Sequence, residues 1–279
     1  MTDSFAAFER FVQFYIELFA QPGLLADAAC RQSYKEYVPH YYRDIFGPGA
    51  VADSPRHRRW YRRLAPILAL PRASRILDYG GGYGMDSIFL ASLGYHVFFY
   101  ELTPHHIAVA RWFAERFGTT FGKLPLEFVL ARVDPTPSGL DAVFANEVTH
   151  HIEPAQRVFN EAAALLRPGG HFYLLEPNFL NPVTQAFFFK VRGLRTTKWL
   201  VDDRTGERYL WGNEHIRPLW TWNRFAREAG LELQDIQYIA PWFGGQKSQA
   251  DLARPQGVER LPLLRAVAAS HLGLHYAKR

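Results

Sequence analysis

An α/β fold built on a doubly wound parallel sheet is predicted by three observations. From Ser74 onward, apolar runs of strand length alternate with stretches of helical periodicity. The first such run, Ile76-Leu77, passes directly into a glycine turn, Asp78-Tyr79-Gly80-Gly81-Gly82-Tyr83-Gly84, and then a helix. The next strand, Val97-Phe98-Phe99-Tyr100, ends on Glu101, 21 residues after Gly80. Together these read as a nucleoside-binding unit. The glycines let the backbone bend sharply and approach a ligand, the N–H groups of the following helix point back at the turn, and a carboxylate at the end of the second strand can accept both ribose hydroxyls.

The elements follow in order. Phe5, Phe8, Val12, Tyr15, Ile16 and Phe19 recur at helical spacing until Gln21-Pro22-Gly23. A second helix over Ala26–Tyr37 and a third over His57–Leu70 complete a helical lobe, residues 1–70, beside a main domain of residues 71–279. In that domain Arg75–Tyr79, Tyr95–Glu101, Leu126–Val133, Leu140–Ala145 and His171–Leu175 read as the first five strands. Met85–Leu93, Thr103–Phe117 and Pro154–Leu166 read as helices, the second opened by Thr103-Pro104 and the third stopped by Arg167-Pro168-Gly169-Gly170. An insertion, Asn181–Asn213, precedes a helix over Trp222–Ala229, a sixth strand over Leu231–Ile239 and a last one over Gly273–Ala277.

Composition bounds the function. The 279 residues are 48% apolar and 21% charged, which suits a soluble enzyme with a sizeable core. The net charge of +5 is diffuse apart from Arg56–Arg63, a run that reads as a solvated helix face, so a nucleic-acid partner is not expected. The single cysteine, Cys30, excludes an internal disulfide and fits a reducing cytoplasm. The charged N-terminus, with Asp3, Glu9, Arg10 and Glu17, is neither a secretory signal nor a membrane span.

The glycine turn also discriminates between nucleoside ligands. A dinucleotide turn wants a small residue at its third fixed position, where this chain carries Met85 counted from Gly80 or Ser87 counted from Gly82. Asp78 would repel a pyrophosphate but suits a ligand carrying an ammonium and a sulfonium. The pattern D-x-G-x-G-x-G, filled by Asp78, Gly80, Gly82 and Gly84, resembles motif I of the class I methyltransferases, which use S-adenosylmethionine. The resemblance covers Ser74–Glu176 closely and the stretch from His215 to the C-terminus more loosely. It implies a Rossmann-like seven-stranded sheet whose last strand is antiparallel and inserted between strands five and six.

The resemblance also implies roles. Asp78 would face the amino group of the methionine moiety, Glu101 with the adjacent Leu102 would hold the ribose, and Asp134 would meet the adenine amine unless it only closes an Asp-Pro turn. In related enzymes an N-terminal segment closes over the cofactor. Tyr34, Tyr37, Tyr41 and Tyr42 lie in the segment expected to do so, with Tyr41 taken as the contact, though core packing is the more frequent use for such residues. Asn146-Glu147-Val148-Thr149-His150-His151, after strand four, resembles the family's loop that faces the methyl group, with Asn146 bonding the cofactor through its backbone and standing among the catalytic candidates. It lacks the Pro-Pro-aromatic motif of adenine and glutamine N-methylators.

His150 or His151 is the candidate general base, since imidazole titrates near neutral pH, with capping or packing as the structural alternative. A metal is set aside because no cysteine or acid stands at ligand spacing from the pair. Glu176 would position a substrate amine or act as base, Asn178 would orient a carbonyl, and His215 and Arg217 read as surface residues, with contact to substrate from above as the alternative. Phe187-Phe188-Phe189 reads equally as a substrate wall, a dimer contact or a membrane-touching patch.

The expected activity is therefore methyl transfer to an oxygen or nitrogen of a small, perhaps secondary-metabolite, molecule. Two alternatives stay open. One is use of the aminobutyrate chain of the same cofactor, by cyclisation or transfer with release of methylthioadenosine. The other is a non-catalytic assembly protein that keeps the pocket. A homodimer is compatible with either.

Overall fold

The computed structural model describes residues 4–20, 55–201, 206–239 and 260–279. The expected helix over Ala26–Tyr37, Cys30 and the four candidate tyrosines, Tyr41 among them, lie outside these residues. The described elements form two compact units that divide after Pro135.

The first unit carries helices α1 (Ser4–Ala20) and α2 (Pro55–Leu68), then β1 (Arg75–Tyr79), α3 (Met85–Ser92), β2 (His96–Glu101), α4 (Pro104–Phe121) and β3 (Leu126–Leu130). β2 pairs in parallel with β1 and with β3. The apolar stripe of α1 is an aromatic seam. Phe8 packs 5.1 Å from Trp60 and 5.0 Å from Phe89, Phe11 lies 5.5 Å from Phe117, and Tyr15 lies 5.8 Å from Phe113. Phe8, Phe11, Val12 and Tyr15 are buried, each contributing about 1.5–3 kcal/mol. The seam fixes α1 onto α2, α3 and α4.

Strand β3 ends at Leu130, short of the expected Val133, for a local reason. Arg132 takes a left-handed φ of 66°, and the Asp134 carboxylate accepts the Leu130 N–H at 2.7 Å. The chain therefore turns instead of pairing on.

The second unit holds β4 (Leu140–Asn146), a 3₁₀ turn (Thr149–His151), α5 (Gln156–Leu165), β5 (Leu166–Pro177), α6 (Pro182–Arg192), the hairpin β6 (Thr197–Val201) and β7 (Arg208–Gly212), α7 (Leu219–Glu228), β8 (Leu231–Ile239), α8 (Pro262–Ala268) and β9 (His271–Lys278). The Arg167–Gly170 signal does end α5. The same residues then run extended as an irregular start of β5, whose pairing with β4 jumps from Leu140↔Leu166 to Ala142↔His171. The insertion is thus a helix and a two-stranded antiparallel ladder.

The strand order of the main sheet is β3-β2-β1-β4-β5-β9-β8. β9 runs antiparallel to both β5 and β8, so the last strand stands where the family resemblance implied. Among the described residues no helix is long and apolar enough to cross a membrane.

Candidate functional site

Ligands of open α/β sheets sit beyond the carboxyl ends of the parallel strands. Glu101 and Asn146 lie at those ends, Asp78 and Glu176 each lie one residue before one, and Asp134 lies just past another.

In the first unit the turn after β1 forms a cradle. Gly80, Gly82 and Gly84 all have left-handed φ, 73°, 58° and 76°, which side-chain-bearing residues adopt at a cost. Gly81 is needed for a different reason. A Cβ there would stand 2.6 Å from both Asp78 Oδ2 and the Phe99 ring. A Cβ on Gly82 would meet nothing within 4 Å, so the bare backbone borders open space at that point.

Glu101, 7% exposed, braces the cradle. Its Oε2 accepts the Gly82 N–H at 3.0 Å, and its Oε1 accepts the N–H groups of Leu102 at 2.8 Å and Thr103 at 3.0 Å. Each carboxylate oxygen has two acceptor sites, so Oε1 is filled and Oε2 keeps one for a ligand hydroxyl. Leu102 thus serves through its backbone.

Asp78 is 2% exposed and accepts the Ser87 hydroxyl at 2.6 Å. Burial, with Asp86 and Glu101 nearby, holds its carboxyl well above the ordinary range, against the Ser87 bond that lowers it. Three acids around one glycine turn favour a cationic ligand group. Asp134 is exposed, and its carboxylate is already engaged by Leu130.

The second unit gathers a histidine–glutamate cluster. After β4, Glu147 takes a left-handed φ of 54°, and the chain winds into the 3₁₀ turn that carries both histidines. His150, 3% exposed, has Nδ1 2.7 Å from Glu176 Oε2. Glu176 is fully buried, and its other oxygen accepts the Thr149 N–H at 2.8 Å. It holds the imidazole in place, in contrast to the expectation that it meets substrate.

The His151 Nδ1 lies 3.2 Å from the Gly212 carbonyl, and its ring stacks on Trp211 at 5.0 Å. Glu214 completes the group, with its carboxylate 3.4 Å from His150 Nε2 and 3.9 Å from His151 Nε2. Burial and the charge of His150 push His151 down to about 4. Burial also opposes the charge on His150, but Glu176, Glu214 and Glu147 hold that imidazole above its ordinary value. Glu214 is raised, chiefly by burial.

The remaining candidates separate. Phe188 faces the cluster, 6.4 Å from the His150 ring, while Phe187 and Phe189 are exposed. Asn178 does not orient a substrate carbonyl. Its amide donates to the Ala266 and Ala269 carbonyls and its oxygen accepts the Leu180 N–H. Arg217 is no surface residue either. It is buried, pairs with Glu153 and lies over the Trp222 ring. Trp211, Gly212 and Glu214 were not read as site residues, because they reach the histidines only through the return of the β6–β7 hairpin.

A seven-stranded sheet with an antiparallel last strand, bearing a glycine cradle between two strand-end acids, defines the class I methyltransferase fold, and the cradle fits its cofactor, S-adenosylmethionine. Gly82 borders open space, Glu101 keeps one acceptor site and Asp78 places a buried carboxyl beside the turn. The methyltransferase-domain family matches residues 52–236, more than half of the chain, and the chain belongs to that family of S-adenosylmethionine-dependent transferases.

Among similar proteins is the ubiquinone biosynthesis O-methyltransferase of Xylella fastidiosa, 29% identical over 71% of this chain and 76% of that one. Another is the S-adenosyl-L-methionine-dependent Diels-Alderase iccD of Talaromyces variabilis, 31% identical over 50% of this chain and 48% of that one. The PH0226 protein of Pyrococcus horikoshii shares the fold at a TM-score of 0.55 and 14% identity, over 89% of this chain and 99% of that one.

Proposed function

We propose that the chain transfers a methyl group to an oxygen or nitrogen nucleophile of a small molecule. The cofactor supplies an activated methyl group on a sulfonium. The chain's own residues bind it, orient the acceptor and deal with the acceptor's proton. Gly80, Gly82 and Gly84 present backbone to it, Glu101 accepts a ribose hydroxyl, and Asp78 draws the ammonium. The His150–His151–Glu214 cluster holds the acceptor's nucleophile, and Phe188 offers an apolar wall. Alignment of the reacting atoms can lower the barrier by about 7–11 kcal/mol.

One observation carries the reading. A fully buried Glu176 clamps His150 through Nδ1 and leaves Nε2 as the nitrogen that can serve the acceptor. This is the orienting arrangement used where an imidazole takes part in chemistry. The names of the similar O-methyltransferases agree with a small-molecule acceptor.

The test is product analysis after incubation with S-adenosylmethionine and a panel of small phenols, alcohols and amines. S-adenosylhomocysteine and a methylated acceptor are the expected products. His150→Gln should lower kcat by about 100-fold or more and leave S-adenosylhomocysteine binding intact. Release of methylthioadenosine would instead establish use of the aminobutyrate chain, and loss of both products would overturn the enzymatic reading.

A further inference from the structure

We infer that His150 Nε2, His151 Nε2 and the Glu214 carboxylate form a binding site for one divalent transition-metal ion of the zinc type. The inference rests on the proposed acceptor site and refines it, since an ion held on His150 Nε2 would meet the acceptor oxygen in place of that nitrogen; its ion-binding part can be read without any methyl transfer.

Three features of the geometry support it. The first is spacing. One ligand atom from each of the three residues lies within 4.8 Å of the others. Around a tetrahedral ion with bonds of about 2.0–2.2 Å, neighbouring ligand atoms stand about 3.3–3.6 Å apart, and His150 Nε2 already lies 3.4 Å from Glu214. The same separation is too long for a well-formed N–H···O bond of about 2.7–3.2 Å, and the 3.9 Å from His151 is longer still. The carboxylate stands off both rings at ion-bridging distance.

The second feature is the outer shell. A ligating imidazole donates its other nitrogen to a carboxylate or a backbone carbonyl, which fixes the tautomer and turns the free lone pair to the ion. Here His150 Nδ1 meets Glu176 and His151 Nδ1 meets the Gly212 carbonyl. Both devices are in place, on residues from different elements.

The third feature is that the backbone is shaped to bring the ligands together. Glu214 sits at a left-handed φ of 53°, which side-chain-bearing residues seldom adopt. Gly212 packs so closely against the histidine turn that a Cβ would lie 2.2 Å from the His150 carbonyl oxygen. Two imidazoles and one carboxylate suit zinc, manganese, iron or cobalt better than magnesium or calcium, which prefer all-oxygen sets. Three protein ligands leave a position open on a tetrahedral ion for water or an acceptor oxygen.

The test is metal binding to the full chain. After chelator treatment, protein would be titrated with Zn²⁺ in competition with a chromophoric chelator and, separately, with Co²⁺ while visible absorption is followed. The expected result is one equivalent bound and Co²⁺ bands of a four-coordinate site. Glu214→Gln and His151→Ala should each weaken binding at least tenfold, and Glu176→Gln by about 10–100-fold. S-adenosylhomocysteine binding and circular dichroism, measured on each variant, separate a lost site from a lost fold.

His171 and His275, 3.0 Å apart elsewhere in the second unit, supply the control. Binding that persists in Glu214→Gln and His151→Ala but disappears in a His171→Gln/His275→Gln variant would overturn the assignment. So would wild-type protein that competes no better than Glu214→Gln. A failure to bind S-adenosylhomocysteine would count against the family cradle and not against this site.

Discussion

Asp78 is a carboxylate held away from water beside two other acids, and it makes the unliganded protein pH-sensitive. Its carboxyl is raised above the ordinary value of 3.8, by burial first. The folded chain therefore binds more protons than the unfolded one between that value and the raised one, and stability falls as pH rises through this window. Asp78→Asn keeps an acceptor for Ser87 and removes the charge. It should raise Tm of the ligand-free protein near pH 7 by a few degrees, flatten the decline from about pH 4 upward, and weaken S-adenosylhomocysteine binding. Fluorimetric melting across that range checks this; an unchanged or lower Tm near pH 7 would contradict it.

Much at this scale was legible in the sequence. Left-handed φ at Gly80, Gly82 and Gly84 follows from the motif, and so does the position of Glu101 at a strand end. The need for glycine at position 81 was not legible, because the ring that would collide with a side chain there belongs to Phe99 on the neighbouring strand.

At the scale of elements, the 3₁₀ turn and the hairpin end depend on each other. Gly212 lets β7 come within backbone contact of His150, Ile152 bridges Trp211, and the His215 N–H donates to the His150 carbonyl. Gly212→Ala should cost about 1–3 kcal/mol through overpacking and lower Tm by roughly 5 °C. The histidines would shift, so activity should fall further than stability alone accounts for. A variant with wild-type Tm and kcat would contradict this coupling.

The elements themselves were largely readable because apolar spacing marks each buried face. Strand β3 was read too long because its end is set by a side-chain bond from Asp134, which leaves no mark in hydropathy. The hairpin stayed hidden because its strands alternate weakly, with Trp199 and Val201 exposed. Glu214 was missed for the same reason, since its approach to the histidines depends on where that hairpin returns.

For the molecule as a whole, sheet order and family membership agree with what the glycine motif implied, and the cradle is where the account can be tested as a unit. A ligand present at about 100 times its Kd should stabilise the fold by about 2.7 kcal/mol, so thermal melting would report cofactor binding broadly. Calorimetry of S-adenosylhomocysteine against wild type, Glu101→Ala and Gly82→Val tests the central claim most directly. The account predicts one site in the wild type. It predicts at least a tenfold loss in Glu101→Ala, because a hydrogen bond to a charged group contributes about 1.5–3 kcal/mol. Gly82→Val should lose at least as much, since a β-branched residue is strained at a φ of 58° and its side chain would enter the ligand's space. Wild-type affinity retained in both variants, or no binding to the wild type at saturating ligand, would contradict it.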